Sequence, residues 1–102
     1  MAQDRHWVKI TQAFAIREKQ HLYVHLESFD PDFRAYGRTR LIDLRIGSEM
    51  IRMRHLGSGD TKGEPVLVLV LDDSQYETVE EVRAKMGDVS DVFVARVREA
   101  SD

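Results

Sequence analysis

Residues 65–71 read Pro-Val-Leu-Val-Leu-Val-Leu, and this run constrains the fold more than any other segment. A strand alternates its side chains between two faces, so a stretch that is apolar at both parities must be covered on both sides. The segment is therefore expected as a central strand. Pro65 stands at its first position, where a missing N–H is tolerated. The run is also far shorter than the roughly 20 residues an apolar helix needs to span a bilayer. No membrane association by that route is expected.

The remaining elements are read relative to this strand. Trp7 to Ile16 places Val8, Ile10 and Phe14 at even spacing, and the polar break Glu18-Lys19-Gln20 precedes His21 to Leu26, giving two further strands. Ser28 to Asp32 reads as loop, because proline and closely spaced aspartates favour turns. Met50 to Leu56 reads as a strand, followed by a glycine-rich hairpin loop over Gly57 to Glu64. A helix is expected to open between Asp72 and Gln75. There Ser74 and Glu77 have the capping-box spacing, Val79, Val82 and Met86 share a face, and Gly87 ends the helix. Val89 to Val97 reads as the last strand. Residues 33–46 carry two patterns at once. Phe33, Tyr36, Leu41 and Leu44 form a loose helical stripe, while Ile42, Leu44 and Ile46 alternate with Asp43 and Arg45 as in a strand.

With 102 residues, 42% hydrophobic and 32% charged, the chain suits one domain with one modest core. No repeat, low-complexity tract or linker divides it. The absence of cysteine rules out disulfides, thiol nucleophiles and thiolate zinc sites and agrees with a reducing compartment. The N-terminal residues lack a secretory layout, so a cytoplasmic protein is expected. The net charge of −3 divides unevenly, as −1 over residues 1–33, +4 over 34–55 and −6 over 56–102. A basic block of this kind is a candidate anion or partner surface, or the complement of the acidic block within the fold.

Taking residues 33–46 as a helix makes the order from His21 onward βαββαβ, the ferredoxin-like arrangement. From Gly37 to Val97 the chain then resembles an ACT domain, the small-molecule regulatory module of phosphoglycerate dehydrogenases and some serine dehydratases. The likeness is carried by Gly37-Arg38, by Gly47 with Met50 and Met53, and by the run from Lys62 to Asp72. Val79-Glu80-Glu81-Val82-Arg83 and Val89-Ser90-Asp91-Val92 complete it. The resemblance implies an α+β fold with a mainly antiparallel sheet, helices on one face and an extra N-terminal strand. The alternative is an antiparallel β-meander with a single C-terminal helix.

The resemblance also implies a ligand loop at Glu27 to Phe33, which keeps Asp30 and Pro31 but lacks the family's glycine. His25 stands where the family's effector-binding histidine lies, and Glu49 stands where an asparagine is usual. A carboxylate there repels an effector's carboxylate and attracts its ammonium group. The implied ligand-binding residues are His25, Glu27, Asp30, Phe33 and Glu49, with an amino-acid-like ligand and a homodimer paired through sheet edges or helix faces.

Other chemistry has little support in the residues. His21 and His25 share a strand face about 13 Å apart, too far to hold one metal together. Gly57 to Gly63 does not match a phosphate loop and precedes a strand. No serine or threonine is grouped with a histidine and an acid in the manner of a nucleophilic site. No cofactor, metal or catalytic residue is therefore expected. Arg52 and Arg54 share a strand face and are candidate contacts for an anion or a protein partner. The leading expectation is a non-enzymatic sensing or regulatory domain. The second is an interaction or scaffold domain docking a larger protein through the basic segment 34–55. Nucleic-acid binding is disfavoured, because Trp7, Tyr23, Phe33 and Tyr36 are scattered in sequence.

Overall fold

The computed structural model describes residues 6–28, 40–61, 64–72 and 75–97, without the side chains of residues 40, 58–61 and 64. Six strands and one helix follow in the order β1 (Val8–Ile16), β2 (His21–Leu26), β3 (Arg40–Ile46), β4 (Glu49–Thr61), β5 (Glu64–Leu71), α1 (Val79–Met86) and β6 (Val92–Arg96). The strands close into a barrel in the order β1-β2-β5-β4-β3-β6, and every pairing is antiparallel. β5, the doubly apolar run, lies between β2 and β4.

Alternation decides what fills the barrel. Leu22, Val24 and Leu26 of β2 point inward with Ile42 and Leu44 of β3, Ile51 and Met53 of β4, Leu67 and Leu69 of β5 and Val92 and Val94 of β6. Eight strands already leave an interior only wide enough for side chains or one small ligand, so six leave a packed core. Two bulges keep the phase correct along the longer strands. Thr11 is the extra residue between the Ile10↔Leu26 and Gln12↔His25 pairs, and if it were instead paired in strict alternation Ala13 would turn away from the core face. Leu56 is the extra residue between His55↔Leu69 and Gly57↔Val68. His55 is inside, 4% exposed, and Leu56 outside, 44% exposed, and the bulge shifts the phase beyond them so that Gly57 pairs with Val68 rather than with Leu67.

The ferredoxin-like expectation is overturned. Residues 40–46 are strand β3, hydrogen-bonded on one side to β4 and on the other to β6, and the only helix among the described residues is α1. The period-2 alternation of Ile42, Leu44 and Ile46 prevailed over the helical stripe, because two neighbouring ladders satisfy every backbone group that a helix would have satisfied internally. The architecture fits a meander with a C-terminal helix better, closed here into a barrel. No helix of the described residues is long and apolar enough to cross a membrane.

Two further boundaries differ from expectation. The loop expected over Gly57 to Glu64 is mostly strand, since β4 runs to Thr61 and β5 starts at Glu64. The helix begins at Val79 rather than near Ser74. Its capping box is formed by Thr78, whose hydroxyl accepts the Glu81 N–H at 3.3 Å, and by Glu81, whose carboxylate accepts the Thr78 N–H at 2.9 Å.

Val79, Val82 and Met86 join the same core cluster as the inward residues of the barrel, so α1 closes one barrel end. Polar contacts hold it there. The Gln20 side-chain carbonyl accepts the Val79 N–H at 3.0 Å, and its amide donates to Glu80 at 3.2 Å. Arg83 Nε donates to the Ala13 carbonyl at 2.7 Å, and the Gly47 N–H reaches the Asp91 carbonyl at 3.0 Å. The segment 75–91 thus touches both the β1–β2 turn, at Val79 and Glu80, and the β3–β4 turn, at Asp91.

Candidate functional site

The outer wall of β4 is the most distinctive surface of the barrel. Inward pointing of Ile51, Met53 and His55 sends Met50, Arg52, Arg54 and Leu56 outward. Met50 is 53% exposed and, with Leu56, accounts for two of the three exposed large hydrophobic residues among those described; the third, Phe14, lies on β1. Arg52 Nε donates to Asp43 at 2.6 Å across the β3–β4 ladder, and Arg54 Nη2 donates to Asp72 at 2.5 Å. Both guanidinium groups remain about half exposed while anchored. Asp43 faces outward between two inward leucine-type neighbours yet is 5% exposed, so its charge is sheltered and paired.

A second row crosses the wall at right angles to β4. Met50 is opposite Arg45, Arg45 is opposite Phe93, and Phe93 is opposite Lys9. The Arg45 guanidinium carbon lies 4.8 Å from the Trp7 ring centre and 4.7 Å from that of Phe93, and Lys9 Nζ lies 5.3 Å from Phe93. Lys9 Nζ also donates to the Ser90 carbonyl at 2.8 Å. Three strands distant in sequence therefore meet in one cation–aromatic cluster.

Glu49 has a different setting. Its carboxylate accepts hydrogen bonds from the Tyr76 hydroxyl at 2.5 Å and the Gln75 amide at 2.9 Å, and Lys85 Nζ lies 3.4 Å away. The Tyr76 hydrogen bond, helped by Lys85, holds its pKa below the ordinary carboxylate value. Glu49 ties the helix segment to the start of β4.

His25 lies on the outer side of β2 with its ring edge-on to Phe14 at 5.7 Å, and Glu27 is an exposed residue whose N–H donates to the Lys9 carbonyl at 2.9 Å. His25 is opposite Val66, which is opposite Gly59, ten residues along β4 from Glu49. At strand rise that is on the order of 30 Å, so His25 and Glu27 do not share a site with Glu49. Asp30 and Phe33 lie outside the described residues. Among the described residues no group of three or more histidine or acidic side chains is placed to hold a metal.

Sequence alternation identified Arg52 and Arg54 as outward neighbours. It missed Arg45, whose ring partners come from β6 and from the residue before β1; Met50 and Leu56 share the parity of Arg52 and Arg54, so their place on this face was available from alternation but their exposure was not. The signal available was the exceptional position of Arg45, a cation directly opposite Met50 once residues 40–46 are taken as a strand.

No family model, curated protein or solved structure matches this chain.

Proposed function

We propose that this domain is a protein-interaction module that docks a larger protein through the outer wall of β4 and its neighbour β3. The observation that carries this reading is the outward row Met50, Arg52, Arg54, Leu56, in which exposed apolar side chains bracket two guanidinium groups. Methionine and arginine are enriched at protein interfaces, where a flexible apolar chain fills a partner's pocket and a planar guanidinium takes directed hydrogen bonds. The pairing of Arg52 and Arg54 with Asp43 and Asp72 fixes those side chains beforehand, which reduces the entropy lost on docking. A filled barrel interior and the separation of His25 from Glu49 give an amino-acid-sensing role no comparable support. The cysteine-free composition suits work in a reducing compartment such as the cytoplasm.

The test is affinity capture with chemical cross-linking from the producing cell, comparing wild type, the double variant Met50→Asp/Leu56→Asp and the control Phe14→Asp. A partner retained by wild type and by the control, and lost by the double variant, is the expected result. Equal capture by all three proteins refutes the assignment of the surface.

A further inference from the structure

The geometry points to Arg45 as the anchor that selects the partner: it takes a carboxylate of an acidic, extended segment whose apolar side chains rest on Met50 and Leu56. This inference deepens the interaction reading and rests on it. Arg52 and Arg54 each have a carboxylate partner, and Arg17 and Arg83 are engaged by Glu80 and by backbone carbonyls. Arg45 has no acidic partner among the described residues; it is held instead by the Trp7 and Phe93 rings. A guanidinium lying against ring faces keeps its in-plane N–H groups for hydrogen bonds, and the rings fix the fork in place before any ligand arrives. Lys9, over the same Phe93 ring, adds a second positive charge nearby.

Charge complementarity therefore favours a carboxylate, and the neighbours of Arg45 favour one carried by a protein. Met50 directly opposite Arg45 offers an apolar contact, and Leu56 repeats it six residues farther along β4. That spacing is on the order of 20 Å, the reach of about six extended residues. A nucleic acid fits less well. Phe93 already carries Arg45 and Lys9, so its ring is poorly placed to stack a base, and Asp43 and Asp72 on the same wall oppose a continuous line of phosphates.

Trp7 is the only tryptophan in the chain and touches Arg45, so its emission reports directly on this position. The experiment titrates the full chain with a synthetic peptide of about nine residues, long enough to join the two apolar contacts when extended. The peptide carries two leucines at the Met50-to-Leu56 spacing and glutamates beside the first. Peptides with glutamine or lysine in place of glutamate, and a single-stranded uridine decamer, are the comparators. The acidic peptide is expected to change Trp7 emission saturably and to bind about tenfold or more tightly than either comparator peptide. Arg45→Gln is expected to remove that preference, and Arg45→Lys, which keeps the charge without the fork, to recover only part of it. A thermal melt of each variant confirms that it folds, with Arg45→Lys serving if Arg45→Gln does not.

No response to the acidic peptide, or equal binding of all three peptides that is unaffected by either Arg45 variant, overturns the inference. If that equal binding is still lost in Met50→Asp, the interaction surface stands and only its acidic selectivity falls. Tighter binding of the uridine decamer, weakening steeply with salt, replaces the acidic segment with a nucleic acid.

Discussion

Among the described residues, three carboxylates are held below their ordinary pKa by hydrogen bonds that favour the charged form. Glu49 receives the Tyr76 hydroxyl and is helped by Lys85, Glu81 receives the backbone N–H groups of Glu77 and Thr78, and Asp88 is hydrogen-bonded by Ser90. A pKa lower in the folded than in the unfolded state means that the unfolded chain binds more protons on acidification. The stabilisation is complete above the unfolded value and is lost as pH falls through the folded one. Urea midpoints are therefore expected to be level from neutral pH down to about pH 5 and to decline below it. Glu49→Gln should flatten that decline, since the glutamine keeps a hydrogen-bonding side chain but has no proton to take up. A profile unchanged by this substitution would place the acid sensitivity elsewhere.

At the scale of elements, α1 is the clearest case of a segment whose local code is necessary and insufficient. Eight residues are too few to hold a helix in water, even with the Thr78–Glu81 capping box, so α1 exists because Val79, Val82 and Met86 cover the barrel end. Gln20 is the principal latch. It sits at φ 54° in the β1–β2 turn and joins that turn to the Val79 N–H and to Glu80. Gln20→Ala is expected to cost about 1 kcal/mol and to speed hydrogen exchange of the α1 amides by roughly tenfold. The same exchange rates in the variant and the wild type would show that apolar packing alone seats the helix. The helix face was legible in the sequence because residues three and four apart are neighbours by construction. Its start was not, since Ser74–Glu77 and Thr78–Glu81 have the same spacing and only the docking position selects between them.

The barrel as a whole has an unequal circumference. The β1–β6 seam is joined by only two paired positions, Val8↔Val94 and Lys9↔Phe93, whereas β4 is paired with β5 from Met53 to Thr61. Opening the short seam sacrifices the fewest ladder bonds, so it is expected to lead local unfolding. In native-state hydrogen exchange the amides of β1 and β6 near this seam should exchange with lower free energy than those of Leu67 and Leu69 in β5. Equal protection all round would mean that the barrel opens only as a unit. Closure also pairs every strand on both sides, which removes the free sheet edge through which an open sheet of this size would pair with another copy.

Local periodicity by itself determined that residues 8–16, 21–26 and 65–71 are strands, that Val79, Val82 and Met86 form a buried helix face, and that Arg52 and Arg54 share a side. These properties depend only on side-chain direction along a few consecutive residues. Tertiary structure decided that residues 40–46 are β3, because the choice turns on ladders to β4 and β6 that lie outside any local window. It also decided the phase shift at Leu56, the closure between β1 and β6, and the meeting of Arg45 with Trp7 and Phe93. Each of these follows from which distant strands bury their common face together, a free energy that belongs to the assembled barrel and to no segment of it.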